Sequence, residues 1–185
     1  MGVEIKNCSI FDIKAESYVN TVNCVGVMGT GIAQQFKSKY PSMFDVYKSE
    51  CELGKIKPGN CNTYYSDKHK HYIFNLSVKR DWKEWSTLEW VESAVRHLKL
   101  EIIERDIKSI ALPLIGGKNG RRGPLGLPIG YTALPTNESL KTWLNNEMSR
   151  LTNKFPDVSV YICIPEKLNE ENLTNKLAEK FFQLN

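Results

Sequence analysis

The chain has 185 residues, of which 41% are hydrophobic and 25% charged, with a formal net charge of +4 and a pI near 8.7. These values are typical of one globular domain and exclude a disordered or fibrous chain. The excess of positive charge suits a phosphate-bearing ligand but is too small to indicate the dense basic face of a typical nucleic-acid-binding protein, and we interpret most of it as a solvated surface.

The first half of the chain alternates strand and helix patterns. A β-branched run at residues 17–23 leads into a glycine-rich turn. Residues 31–40 have helical spacing and stop before Pro41, which suits the first turn of a second helix. Two strands joined by a polar turn follow, at residues 62–66 and 71–78.

The second half begins with the most regular helical pattern of the chain. Ser86 and Glu89 have the spacing of a capping box, and apolar residues recur every three or four positions from residue 85 to residue 102. A buried-type strand at residues 109–115 then runs into a second glycine-rich loop. The last predicted elements are a helix at residues 140–151, a strand at 158–165 and a helix at 168–183. This alternation predicts an α/β fold, a three-layer α/β/α sandwich with a mixed central sheet, formed by residues 1–185 as a single domain.

The turn after the first predicted strand contains Gly26, Gly29 and Gly31 directly ahead of a helix. Glycine lets backbone N–H groups approach an anion without a side chain in the way, and the helix dipole adds to the attraction. A diphosphate fits such a turn. The spacing matches neither the nucleoside-triphosphate loop, because no lysine follows Gly31, nor the Rossmann fingerprint. A glycine-rich turn that binds nothing is the alternative at this point.

The second glycine-rich loop follows the strand at residues 109–115 and carries Lys118, Arg121 and Arg122. Ligands of open α/β sheets bind beyond the carboxyl ends of the strands, so we expect the two loops to face one cleft. The three cations are candidates for phosphate contacts. The alternative is that most of them are solvated loop charges.

Lys79 comes directly after the predicted strand at residues 71–78. A lysine in that position can reach a cleft at the edge of the sheet, where partial burial would make its amine a nucleophile or a charge clamp. Trp82 is close enough in sequence to line the same cleft. A surface lysine ahead of a helix is the alternative for Lys79.

The five cysteines and three histidines follow no metal or disulfide pattern. The number of cysteines is odd, no C-x-x-C spacing occurs, and His69, His71 and His97 have no partner at metal-ligand spacing. We therefore expect no metal ion and a reducing, cytoplasmic setting. The sequence has no signal-peptide pattern and no transmembrane run, so we expect a soluble protein without a membrane partner.

Three segments, in the same order along the chain, resemble the macrodomain family, and within it the branch of the DarG antitoxin and the terminal ADP-ribose glycohydrolases. NTVNCVGVMGTGIAQQF at residues 20–36 is similar to the first ligand loop of that branch. NLSVKRDW at residues 75–82 resembles its N-F-P-T-K-x-x-W segment, and ALPLIGGKNG at residues 111–120 resembles its A-L-P-P-L-G-C-G-x-G loop. The resemblance implies a domain that binds ADP-ribose, either free or attached to a protein or a nucleic acid, without a cofactor.

The resemblance also implies roles for individual residues. Asn23 would hydrogen-bond the distal ribose, and Lys79 would attack or stabilise the opened C1″ atom of that ribose. Ser9 aligns with an aspartate that binds the adenine amino group in the family. The other residues implied to bind the ligand are Ile10, Thr21, Gly29, Gly31, Ile32, Ile115, Gly116, Gly117, Lys118, Asn119 and Gly120.

The sequence departs from the family pattern at three points. Ser9 is neutral, and Asp12 would replace the family's aspartate only if the register shifts. Residues 118–126 contain no Asp or Glu where the glycohydrolase relatives carry an acidic residue, so Lys79 lacks that acid–base partner. Residues 120–130 form a longer and more basic stretch than the family pattern has. The leading prediction is a monomeric ADP-ribosyl glycohydrolase that acts through Lys79, and the alternatives are an ADP-ribose-1″-phosphate phosphatase and a non-catalytic ADP-ribose reader.

Overall fold

A six-stranded sheet organises the part of the chain that the structure describes. The computed structural model describes residues 2–116 and 137–165. The strands are β1 Val3–Lys6, β2 Ser17–Val22, β3 Cys61–Ser66, β4 His71–Ser77, β5 Ser109–Pro113 and β6 Ser159–Cys163. They lie in the order β1-β6-β5-β2-β4-β3, and every neighbouring pair is parallel except β3 with β4. The predicted mixed sheet is therefore confirmed.

Four helices pack on this sheet within the described ranges. They are α1 Gly31–Lys39, α2 Pro41–Glu52, α3 Leu88–Glu104 and α4 Asn137–Lys154. Tyr40 separates α1 from α2, and Pro41 occupies the first position of α2, where its missing N–H costs no hydrogen bond. None of the described helices combines the length and apolar character needed to cross a lipid bilayer. The helix predicted at residues 168–183 lies outside the described residues.

Hydrophobic side chains of the strands alternate between two clusters, one on each face of the sheet. On one face Tyr18 and Val22 of β2 pack with residues of α1 and α2, among them Phe36. On the other face Val19 packs with residues of α3 and α4, among them Leu98. Because both faces are covered by helices, the predicted three-layer α/β/α sandwich is confirmed.

Two local features differ from the sequence-based expectation. The structure adds β1, a strand of four residues at the edge of the sheet. Its sequence pattern is too short to distinguish from that of a loop. It also places the N-cap of α3 at Thr87 rather than at Ser86. Thr87 has extended backbone angles and its Oγ1 accepts a hydrogen bond from the N–H of Trp90 at 3.2 Å, so the predicted capping box at Ser86 is wrong by one residue.

The order of the central strands explains where a ligand site can form. β5, β2 and β4 are adjacent and parallel, so their carboxyl ends lie at the same edge of the sheet. The first glycine-rich loop follows β2, the second follows β5, and Lys79 follows β4 by two residues. The topology therefore brings the three predicted site segments to one edge, as expected for ligand binding in open α/β sheets.

Candidate functional site

Asn23 organises the first loop with its side-chain amide. The residue lies directly after β2 and is only 7% exposed. Its Nδ2 donates a hydrogen bond to the carbonyl oxygen of Val27 at 2.6 Å. Its Oδ1 accepts from the backbone N–H groups of Val25 at 3.0 Å and Val27 at 3.3 Å. One side chain thus closes the loop on itself and fixes the backbone ahead of α1.

A tyrosine on α2 holds Asn23 from behind. The hydroxyl of Tyr47 donates towards the carbonyl oxygen of Asn23 at 2.8 Å and towards Oδ1 of the same residue at 3.0 Å. Tyr47 is fully buried, and burial raises the pKa of its hydroxyl, so the group stays protonated and remains a donor. The sequence gives no signal for this contact, because the bond joins residues that are 24 positions apart.

The N-terminus of α1 presents backbone N–H donors to an anion. The first N–H groups of a helix have no acceptor within the helix, and Thr30 at the N-cap makes no side-chain capping bond. Gly31 has a φ of 62°, a left-handed conformation that a residue with a side chain rarely adopts. Gly29, Thr30 and Gly31 are all exposed. Ile32, the next residue of α1, is half-buried and packs against the core.

Lys79 is held beside this loop by backbone hydrogen bonds. The N–H of Val78 donates to the carbonyl oxygen of Val22 at 3.1 Å, and the N–H of Cys24 donates to that of Arg80 at 3.0 Å. The thiol of Cys24 adds a contact of 3.2 Å to the carbonyl oxygen of Lys79. The pairing of β2 with β4 therefore continues past the ends of both strands and fixes the lysine against the first loop.

The environment of Lys79 makes its ammonium group easier to deprotonate than that of an exposed lysine. The residue is only 9% exposed, and burial lowers the pKa of its ammonium group. No carboxylate of the described residues forms an ion pair with it, so nothing on the described side of the site opposes this effect. A buried amine without a counter-ion is the form of lysine that can act as a nucleophile.

Ser9 and Asp12 are partners at the start of the short 3-10 helix Ile10–Asp12. The Oγ of Ser9 accepts from the N–H of Phe11 at 3.3 Å, and the N–H of Ser9 donates to the Asp12 carboxylate at 3.0 Å. The side chain of Ile10 is buried in the core, which leaves only its backbone for a ligand. The Asp12 carboxylate therefore lies next to the backbone of Ser9, where it already accepts a hydrogen bond.

Some of the other predicted ligand residues lie within the described part of the chain, and the rest lie outside it. Thr21 lies within β2, half-buried and opposite Leu76 of β4. Ile115 is fully buried just after β5, and Gly116 follows it with a φ of 80°. The remaining members of the second loop lie outside the described residues: Gly117, Lys118, Asn119, Gly120, Arg121 and Arg122.

The three histidines make hydrogen bonds with other residues of the domain. A ring nitrogen of His69 lies 2.9 Å from the hydroxyl of Ser66, and one of His71 lies 3.0 Å from that of Tyr40. His97 on α3 contacts the carbonyl oxygen of Gly59 at 2.8 Å. These contacts agree with the structural interpretation of the three residues.

Comparisons with known proteins agree with the fold and with the family resemblance. The family model of the Macro domain matches residues 19–122, which is more than half of the chain. A DNA ADP-ribosyl glycohydrolase of Thermus aquaticus is 38% identical over 122 residues, covering 65% of this chain and 32% of that protein. The chain therefore spans about a third of the length of this curated relative.

Two solved macrodomain structures superpose on this chain over nearly their whole length. The macrodomain of Mycobacterium tuberculosis DarG superposes with a TM-score of 0.72 at 30% identity, covering 88% of this chain and 97% of that one. The macrodomain of Thermus aquaticus DarG superposes with a TM-score of 0.70 at 32% identity, covering 88% and 98%. The resemblance stated from three sequence segments is confirmed, and the chain belongs to the macro domain family.

Proposed function

We propose that this macro domain binds ADP-ribose at the carboxyl edge of β5, β2 and β4 and removes it from modified DNA. The observation that carries the proposal is the position of Lys79: a buried amine without a counter-ion among the described residues, held by backbone hydrogen bonds against a loop built for an anion. The name of the Thermus aquaticus relative, a DNA ADP-ribosyl glycohydrolase, supports DNA as the modified molecule.

The diphosphate of ADP-ribose would lie on the first loop and the N-terminus of α1. The N–H groups of the first helical turn, which have no acceptor within α1, and the positive end of the helix dipole both attract its charge. Asn23 would bind the distal ribose with its second amide N–H, because the first N–H and Oδ1 are already used inside the loop. Adenine would lie near Ser9 and the neighbouring Asp12 carboxylate. The family resemblance assigns the phosphates and the distal ribose to the second loop as well, from Ile115 to Gly120.

Lys79 would act as the nucleophile. Its neutral amine forms a bond to C1″ of the distal ribose while the glycosidic bond to the DNA base breaks, and the electron pair of that bond leaves with the base. The attack turns the Lys79 amine into a secondary ammonium. Its proton then passes to the leaving base and neutralises the negative charge there. Water then displaces the lysine from C1″, which releases ADP-ribose and restores the amine. The whole reaction consumes one water molecule for each glycosidic bond that it cleaves.

A turnover assay on a DNA oligonucleotide that carries ADP-ribose tests this proposal. We expect the wild type to release ADP-ribose and Lys79→Ala to lose at least ~100-fold of that rate, within the range typical for removal of a catalytic group. Lys68→Ala, an exposed lysine in the turn between β3 and β4, serves as the matched control and should keep the full rate. Equal release by wild type and Lys79→Ala would contradict the lysine mechanism.

A calorimetric titration separates binding from reaction. ADP-ribose should bind more tightly than AMP or NAD to both the wild type and Lys79→Ala. Tight binding with no release from any substrate would make the domain a reader, and release of phosphate from ADP-ribose-1″-phosphate would make it a phosphatase.

We also propose that residues 1–185 act as one monomeric domain in the cytoplasm. The free thiols of all five cysteines support a reducing setting. Size-exclusion chromatography with light scattering would test the monomer, since a dimer would elute at twice the mass of 21.2 kDa.

A further inference from the structure

A short segment ahead of β3, residues 57–60, holds the end of β4 from the side opposite β2. The N–H of Gly59 donates to the carbonyl oxygen of Ser77 at 2.7 Å, and the N–H of Ser77 donates to that of Asn60 at 2.9 Å. β3 and β4 are antiparallel neighbours, so these bonds continue their pairing through Ser77, the last residue of β4. The strand that leads into Lys79 is therefore bonded on both sides.

A histidine on α3 fixes the 57–60 segment. Nδ1 of His97 lies 2.8 Å from the carbonyl oxygen of Gly59. A carbonyl oxygen can only accept a hydrogen bond, so Nδ1 carries the hydrogen and donates it. Both the neutral ring with its hydrogen on Nδ1 and the charged imidazolium ring can make this bond. The contact therefore does not depend on the charge of His97.

The same face of α3 packs closely against Gly59. This glycine has a φ of 84°, and an added Cβ would lie 2.9 Å from Cβ of Ser93. Ser93 and His97 are four positions apart, so they lie one turn apart on one face of α3. The core-facing side of the helix is anchored by the fully buried Ala94 and Leu98. The helix is thus a fixed support on which the segment rests.

Burial links this support to the lysine. Gly59 is buried, so without His97 its carbonyl oxygen has little access to water as a replacement donor, and the segment has to shift to find one. Ser77 is fully buried as well, and its N–H and carbonyl oxygen both bond to the segment. Only Val78 separates Ser77 from Lys79, so the main chain passes a shift of the segment on to the amine.

The support from α3 differs from the support that α2 gives. Tyr47 of α2 contacts Asn23, which belongs to the loop proposed to bind ADP-ribose. None of the described hydrogen bonds joins residues 57–60 to that loop, and those that leave the segment run to Ser77 and His97. The two helices therefore support different parts of the site, α2 the anion loop and α3 the segment of the amine.

We propose that His97 is a positioning residue for the reaction: by holding Gly59, and through it the end of β4, it sets the place of the Lys79 amine relative to the bound ribose. The inference rests on the proposed function and goes beyond it, since it gives α3 an effect on the bond-breaking step alone. Recognition of ADP-ribose stays with the first loop.

The test measures reaction and binding separately in the same variants. Single-turnover release of ADP-ribose from a modified DNA oligonucleotide, with protein in excess, reports the reaction, and calorimetry with free ADP-ribose reports binding. His97→Leu should slow release about tenfold, as expected for a small misplacement of a reacting group, and leave the dissociation constant unchanged. His97→Asn should keep most of the rate, because its Nδ2 can donate from nearly the position of Nδ1. His69→Leu, at another half-buried histidine, is the matched control and should keep the full rate.

The possible results separate this inference from the proposed function. If the wild type releases no ADP-ribose, both are wrong. If it does, and His97→Leu releases it at the same rate, the inference alone is wrong. A dissociation constant that rises as much as the rate falls would make His97 a support of the whole site, and an equal loss of rate in His97→Asn would show that its hydrogen bond is not the cause, so either result overturns the inference. Urea unfolding shows that each variant is folded in the assay, and His97→Ala replaces His97→Leu if the latter does not fold.

Discussion

The hydroxyl of Tyr47 lies 2.8 Å from the carbonyl oxygen of Asn23 and 3.0 Å from its Oδ1, so α2 supports a loop that it does not belong to. Tyr47→Phe removes this bond and leaves buried oxygen atoms with fewer donors. We expect the free energy of unfolding to fall by about 1–2 kcal/mol. The dissociation constant for ADP-ribose should rise about fivefold, because the loop loses its fixed shape. Urea unfolding and calorimetry measure the two effects.

Tyr65→Phe is the control for this prediction. Tyr65 lies on β3 and is 41% exposed, and its described contact is a ring contact with Tyr72 that phenylalanine can also make. It should leave both stability and affinity unchanged. A stable Tyr47→Phe protein with unaltered affinity would show that α2 does not position the loop.

Two glycines of the first loop should respond differently to alanine. At Gly29 an added Cβ would have Val27 as its nearest described neighbour, at 3.8 Å, so Gly29→Ala should fold normally. It should still weaken ADP-ribose binding by about tenfold, ~1.4 kcal/mol, because the new methyl group stands where the diphosphate approaches the backbone. Normal affinity in this variant would contradict the placement of the diphosphate.

Gly26→Ala should destabilise the fold itself. Gly26 has a φ of 76°, and an added Cβ would lie 3.3 Å from Cγ of Lys48. The left-handed conformation alone costs about 1–2 kcal/mol for an L-residue with a side chain. Thermal unfolding should show a lower Tm for Gly26→Ala than for Gly29→Ala, and the opposite order would be inconsistent with this loop geometry.

The rate of ADP-ribose release should depend on pH through Lys79. Burial lowers the pKa of this lysine from its ordinary value of 10.5, so the neutral amine becomes available at a lower pH than in an exposed lysine. The rate should therefore rise with pH and level off at an apparent pKa below 10.5. A rate that stays constant as the pH rises towards 10.5 would exclude Lys79 as the group that must lose a proton.

The stability of the fold should also depend on pH through the titration of Lys79. The folded state disfavours the charged lysine, so the charge opposes folding at neutral pH, and this penalty disappears as pH rises through the folded pKa towards 10.5. Lys79→Met should accordingly have a higher Tm than the wild type at neutral pH, with a difference that shrinks as the pH rises. A lower Tm for Lys79→Met at neutral pH would count against a buried charge at this position.

The cap of α3 offers a test between two adjacent residues. Thr87→Ala should lower the free energy of unfolding by about 1 kcal/mol, because Thr87 Oγ1 accepts from the N–H of Trp90. Ser86 is fully buried, and its hydroxyl has no hydrogen-bond partner among the described residues. Ser86→Ala should leave stability unchanged or raise it. Urea unfolding of both variants distinguishes the cap at Thr87 from the one expected at Ser86.

Much of the fold could be predicted because its signals are local. The helix of Pro41, the glycine-rich turn after β2 and the apolar spacing of α3 all depend on residues within a few positions of one another. Their order also implied that Lys79 and the first loop would meet at one edge of the sheet. The parallel pairing of β2 with β4 is the physical reason that they do.

The features that could not be predicted from the sequence depend on contacts between residues that are distant in the chain. The bond from Tyr47 to Asn23 joins α2 to the end of β2, and no spacing rule contains it. The burial of Lys79, which is 9% exposed, is a property of the folded chain, so the sequence suggests a nucleophile without deciding between that role and a surface lysine. Asp12 beside Ser9 likewise follows from the turn of the 3-10 helix, which the strand and helix patterns do not predict.

Two backbone hydrogen bonds extend the β2–β4 pairing beyond the strands, from Val78 to Val22 and from Cys24 to Arg80. They join the first loop and the segment of Lys79 into one mechanical unit, so a substitution that loosens either part would disturb both. The effects of two such substitutions, one in each part, should therefore not add, because each already removes part of the support of the other.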